Sequence, residues 1–160
     1  MDGYNIIFAW EELKAVSRES LEHARQCLMD ILANYHGFHP CELILVFDAY
    51  KVAGNVGATE EYHGIHIVYT REAETADNYI EKTIYKIAKD HRVRVATSDA
   101  LEQMIILGSG ALRVSAAELH TQQAAKVEID AILRRNNSRP DGASSVGAAM
   151  RRAMEKDDQA

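Results

Sequence analysis

Glu74-Thr75-Ala76-Asp77-Asn78-Tyr79-Ile80-Glu81 opens a helical pattern that runs to about Asp90, with Ile80, Ile84, Ile87 and Ala88 on one stripe. At about 100° per residue Asp77 falls on that stripe, one turn before Ile80 and Glu81. Lys82, Lys86 and Lys89 fall on the opposite face. Asp77 is therefore expected to point toward the core from the first turn of its helix. The helix dipole favours a carboxylate there, but a buried charge needs a partner. A metal ion could be that partner.

Strand patterns flank this helix. Upstream, Leu43-Ile44-Leu45-Val46-Phe47 is a continuous apolar run that stops at Asp48, and Ile65-His66-Ile67-Val68-Tyr69 is a second. Between them, Tyr50 to Gly64 is polar and carries Gly54, Gly57 and Gly64, and reads as a mobile loop or substrate flap. Downstream, Val93-Arg94-Val95-Ala96-Thr97 is a third strand ending at Ser98-Asp99. A short helix over Ala100 to Leu107, a short strand at Leu112-Arg113-Val114 and a capping box at Ser115-Ala116-Ala117-Glu118 follow. That box opens a helix to about Arg135. Near the start, Asp2-Gly3-Tyr4-Asn5 precedes the apolar Ile6 to Trp10. A helix from about Ser17 to Tyr35, with Leu21, Ala24, Leu28, Ile31, Leu32 and Tyr35 inward, ends at His36-Gly37-Phe38-His39-Pro40.

Strands alternating with helices imply an α/β fold: a three-layer α/β/α sandwich with a mostly parallel central sheet. Sites in such sheets form outside the carboxyl ends of the strands. Asp48 and Asp99 each follow the last apolar residue of a strand, and Asp77 begins a helix entered from one. Three carboxylates thus converge on one rim, where a pair 4 Å apart would repel by about 4 kcal/mol at an effective dielectric of 20. Either some are protonated or a cation sits among them. Oxygen-only ligands suit Mg²⁺ or Mn²⁺, and such a site activates water for phosphodiester hydrolysis. Each carboxylate also has a purely structural reading: Asp99 with Glu102 as a helix cap, Asp48 as a turn former, Asp77 as a dipole partner.

Composition bounds the rest. With 160 residues, 47% apolar and 26% charged, the chain is expected to be one domain over 1–135 and a flexible tail over 136–160, with a weak helix over Val146 to Met154. A net charge of −6 argues against a generally basic nucleic-acid-binding surface, though not a local one. No run approaches 18 apolar residues and no signal-peptide pattern is present, so a cytoplasmic protein is expected. Cys27 and Cys41 form no CxxC pair and read as buried reduced thiols.

Asp2-Gly3-Tyr4-Asn5-Ile6-Ile7, Val46-Phe47-Asp48-Ala49-Tyr50, Val68-Tyr69-Thr70, Thr75-Ala76-Asp77 with Ile80-Glu81, and Thr97-Ser98-Asp99 together resemble the YacP-like NYN-domain family. These stretches keep the family's order across residues 2 to 135. The resemblance implies a PIN-like fold and a metal-dependent endoribonuclease acting on mRNA, with the ribosome as an implied partner. It maps the family's acidic site onto Asp2, Asp77 and Asp99, with Asn5 and Asp48 beside them. On this reading Asp2, Asp77 and Asp99 hold one or two Mg²⁺ or Mn²⁺ ions, Asn5 orients a ligand or the phosphate, and Asp48 supports them. Lys51, Arg71 and Lys82 are placed near the rim, where they would position the RNA backbone.

The competing expectation is a catalytically weak RNA- or ribosome-binding module of the same fold. A phospho-acceptor receiver domain, with Asp48 as acceptor, lacks its acidic pair and its lysine, since no Lys lies between Lys89 and Lys126. Were Tyr4 to Ala9 the first strand, Asp2 would lie on the opposite rim, roughly 20 Å away at about 3.3 Å per residue. If instead a strand ends at Asp2, its apolar residues should lie upstream, and a native chain about five residues longer than this one is expected.

Overall fold

The computed structural model describes residues 1–52, 54, 57–99 and 108–137. The chain begins with three helices: α1 (Gly3–Ala9), α2 (Glu11–Glu19) and α3 (Leu21–Phe38). Strand β1 (Ile44–Phe47) is followed by a 3-10 turn at Ala49–Lys51, then β2 (Thr59–Tyr62) and β3 (Ile65–Tyr69). Helix α4 (Ala76–Ile87) leads to β4 (Arg94–Ala96), β5 (Leu112–Val114) and α5 (Ala116–Asn137).

The strand residues form two ladders. β1 and β3 pair in parallel, Val46 opposite Val68, and β2 adds antiparallel to β3. β4 and β5 pair in parallel in a second, two-stranded sheet. Asp2 joins the first sheet through one parallel bridge to Val46, and the Met1 ammonium donates to the Ile44 carbonyl at 2.8 Å. Beside this edge a cavity of about 590 Å³ is lined by Met1, Ile44, Val46, Ile80, Ile84 and Val95 among others.

Strand alternation produces the layers. Leu45, Phe47, Ile65, Ile67 and Tyr69 face one core, shared with Ile6, Ile7, Leu28 and Leu32 of α1 and α3. Val46 and Val68 face a second core with Ala76, Ile80 and Ile84 of α4 and Val95 of β4. The fold is the expected α/β arrangement, helices on both faces of the first sheet. Each fully buried side chain of this kind contributes about 1.5–3 kcal/mol. The Trp10 indole donates to the Ala116 carbonyl at 2.7 Å, so the buried ring also meets its polar requirement.

Several expectations need correction. The helix expected from Ser17 to Tyr35 is two helices, broken at Ser20, whose hydroxyl accepts the His23 N–H at 3.1 Å and caps α3. Tyr4 to Ala9 is helix, not strand, which removes the arrangement that would have sent Asp2 to the opposite rim. The polar segment to Gly64 is not all loop. Thr59–Tyr62 is a strand, closed onto β3 by His63 and Gly64 at φ 45° and 87°, the left-handed pair that a two-residue hairpin requires. Cys27 and Cys41 are free thiols, half-buried and exposed rather than buried. The Ser115–Glu118 capping box forms in both directions, at 3.1 and 2.7 Å.

Met1–Ala124 is one compact unit and Ala125–Ala160 a second, whose described part is the last turns of α5 with an Asp130–Arg134 ion pair. The expected helices over Ala100 to Leu107 and Val146 to Met154, and the Glu102 side of the Asp99 cap, lie outside the described residues. Among the described residues no helix is long and apolar enough to cross a membrane.

Candidate active site

The first turn of α1 is the centre of the site. Asp2 has extended backbone, and its side chain accepts the Asn5 N–H at 3.1 Å, so the helix begins at Gly3. The entry is tight: a Cβ on Gly3 would stand 2.3 Å from the Phe47 ring. Asp2 is only 7% exposed, which makes it, rather than Asp77, the buried carboxylate of the rim. Burial pushes its pKa up to about 6. The Asn5 N–H opposes that rise, and the charges of Asp77 and Asp48 add to it.

Asp48 leaves the end of β1 and accepts the Ala76 N–H at 2.7 Å, fixing the start of α4 beside β1. Thr70, buried at the end of β3, accepts the Ala49 N–H through its hydroxyl at 3.1 Å and donates its own N–H to the Phe47 carbonyl at 3.0 Å. In the sequence, Thr70 stands in Val68-Tyr69-Thr70 with no role assigned to it. Its signal was a hydroxyl directly after the last apolar residue of a strand. Thr75 caps α4 by accepting the Asn78 N–H at 3.2 Å.

Asp77 occupies the first turn of α4, as expected, but it is exposed. The buried positions are Ala76, Ile80 and Ile84, spaced by four. The first turn is covered at Ala76, so the inner face runs through 76, 80 and 84 and leaves Asp77, one position round the helix, outside it. The Asp77 charge still reaches Asp2 at the rim.

Asp99 follows β4, half-buried, with its N–H on the Thr97 hydroxyl at 3.1 Å. Asn5 ties this segment to α1: its side-chain oxygen accepts the Ser98 N–H at 2.6 Å and also the Ser98 hydroxyl. Ser98 was another residue whose role the sequence did not disclose. The structure thus brings Asp2, Asp48 and Asp77 within electrostatic reach, and joins the Asp99 segment to them through Asn5. Among the described residues no three His, Cys, Asp or Glu side chains are gathered closely enough to form a metal cluster by themselves.

The donor chemistry nonetheless fits a hard divalent cation. All the candidate donors are carboxylates, and the charges of Asp77 and Asp48 act on Asp2 in the sense a cation would offset, against the Met1 ammonium and the Asn5 N–H, which favour its ionised form. Asp2 and Asp48 each use one oxygen in holding a backbone N–H, and each carboxylate has a second.

The three basic candidates differ. Lys51 is half-buried, its Nζ 4.8 Å from the centroid of the Tyr4 ring. Arg71 is exposed. Lys82 is exposed and ion-paired with Glu74 at 3.0 Å.

A family model described as the YacP-like NYN domain matches residues 1–156. The uncharacterized protein YacP of Bacillus subtilis (strain 168) is 43% identical over 122 residues, covering 74% of this chain and 70% of that protein. The crystal structure of Rae1 (YacP) from Bacillus subtilis superposes with a TM-score of 0.73 at 35% identity, covering 99% of this chain and 92% of that one. Its W164L mutant gives 0.73 at 36% identity, over 90% and 86%.

Proposed function

Because the chain belongs to the YacP-like NYN domain family, we propose that it is a metal-dependent endoribonuclease that cleaves RNA, with mRNA as substrate and the ribosome as the setting. The observation that carries this reading is the buried Asp2 carboxylate, held at a helix start and pushed up to about 6 by burial, with Asp77 and Asp48 adding to the rise. A carboxylate so placed favours a proton or a cation beside it, and phosphodiester hydrolysis uses the cation.

Asp2, Asp77 and Asp99 would hold one or two Mg²⁺ or Mn²⁺ ions. The chemistry a cation would supply there is a lowered pKa for a water and an offset to charge developing on the phosphate oxygens. The chain's own residues set the geometry. Asp48 fixes the α4 start that presents Asp77. Asn5 holds Ser98 and with it the turn that carries Asp99. Asp2 keeps α1 in place while offering its carboxylate to the rim.

The test is Mn²⁺-dependent cleavage of single-stranded RNA by the parent and by Asp77→Asn. Cleavage by the parent alone is expected. Tight RNA or ribosome binding with no cleavage under any divalent cation would instead establish a binding module of the same fold.

A further inference from the structure

Beside the carboxylate rim lies a patch of different chemistry. Lys51 Nζ stands 4.8, 5.3 and 5.2 Å from the ring centroids of Tyr4, Phe8 and Tyr50. Tyr4 is buried, but Phe8 is 45% and Tyr50 72% exposed. The Tyr4 hydroxyl accepts from Arg25 Nη1 at 3.0 Å and donates to the Lys51 carbonyl at 3.4 Å, which fixes the centre of the patch. Two cations are therefore concentrated here, on a chain whose net charge is −6.

The patch is continuous with the rim through the backbone. Tyr4 and Phe8 ride on the helix that Asp2 caps, and Tyr50 and Lys51 sit in the 3-10 turn entered from Asp48. An apolar protein surface would have to bury the Lys51 charge to dock here. A nucleotide would not. Its base offers a π-face to the exposed rings and its phosphate a negative charge to the lysine.

We propose that Tyr50 and Phe8 form a stacking platform for an unpaired base of an RNA strand, with Lys51 holding both rings and the adjoining phosphate, next to the Asp2–Asp48–Asp77 rim. This rests on the nuclease reading above and adds a subsite to it: the substrate enters single-stranded, because a duplex hides the base faces.

The experiment is fluorescence anisotropy of a labelled single-stranded RNA 10-mer on the Asp77→Asn protein, so that the probe survives. Tyr50→Ala and Phe8→Ala, both at exposed positions, should each weaken binding roughly tenfold, whereas Tyr50→Phe should not. Lys51→Met should lower the slope of log affinity against log salt by about 0.7. A 2-aminopurine in the probe should be quenched by the parent ring and not by Tyr50→Ala. A duplex of the same sequence should bind more weakly and ignore both alanine changes. Unchanged affinity in both alanine variants overturns the platform while leaving the nuclease reading intact if the unmutated protein still cleaves. No RNA binding and no cleavage by the unmutated protein overturns both.

Discussion

The side-chain oxygen of Asn5 accepts the Ser98 backbone N–H at 2.6 Å, joining residues 93 positions apart. One end of this bond is the first turn of the helix that Asp2 caps, and the other is the turn that carries Asp99. The spacing of the candidate carboxylates thus depends on a side chain that need not itself react.

Asn5→Ala should therefore cost more in cleavage than in stability. Loss of the two partly exposed hydrogen bonds from Ser98 is worth about 1 kcal/mol each, while a turn freed by an ångström lowers turnover by roughly a hundredfold. RNA cleavage assays and denaturant melts on the same preparation measure the two. A fall in stability with unchanged turnover would contradict the positioning role.

Asp77→Asn should abolish cleavage and leave stability unchanged or raised. Asp77 is exposed, so no core contact is lost, and its charge acts unfavourably on Asp2. A variant that keeps full turnover, or one that loses several kcal/mol without metal, would remove Asp77 from the site.

Asp2 gives a pH signature. Its pKa in the folded chain, about 6, lies above the ordinary 3.8, because burial and neighbouring negative charge disfavour ionisation. The folded state then binds the proton more tightly than the unfolded one. The resulting stability is fully present below about pH 4 and is lost as pH rises through 6, by no more than about 3 kcal/mol. Melts in EDTA should show this fall, and Asp2→Asn, which keeps a capping oxygen, should flatten it. An identical pH profile in both proteins would count against a buried, ionisable Asp2.

Millimolar Mn²⁺ should raise the melting temperature of the parent by mass action, about 2.7 kcal/mol at a hundredfold excess over the dissociation constant. The Asp2/Asp77/Asp99→Asn triple variant should show no such rise. Equal shifts in the two proteins would place the cation elsewhere.

Gly3→Ala probes the entry to α1. The added Cβ would overlap the Phe47 ring, which is fully buried and cannot swing aside into solvent. Overpacking of this kind costs about 1–3 kcal/mol, and displacement of Asp2 should lower cleavage as well. Chemical denaturation with unchanged midpoint would show that the ring yields.

The sequence disclosed the elements whose signals are local. Ile80 and Ile84 mark the inner face of α4, the apolar run at 44–47 is a strand covered on both sides, and Ser115 with Glu118 opens α5. It misled where tertiary placement decides. Helical spacing put Asp77 inward, but the buried face is centred on Ala76, Ile80 and Ile84, and Asp77 falls outside it. Apolar Ile6 and Ile7 carry no mark distinguishing helix from strand, and only the Asp2 cap and the core beneath choose between them. The β2 strand reads as loop because its Thr59-Glu60-Glu61 face is exposed, and pairing with β3 supplies what its side chains do not. Ser98 and Thr70 stood in the family-like stretches without a role of their own, because their partners, the Asn5 side chain and the Ala49 N–H, are far away in the sequence.

The two separate ladders have a consequence for amide exchange. β1–β3–β2 and β4–β5 share no strand-to-strand register among the described residues, so protons on β4 and β5 can exchange through an opening that spares the larger sheet. Asp99 follows the strand end of the smaller ladder, and Asp2 is bridged to the larger one. Anything gripped by both acts as a splint between them. Its signature is slower exchange in β4 and β5, well away from any group it touches.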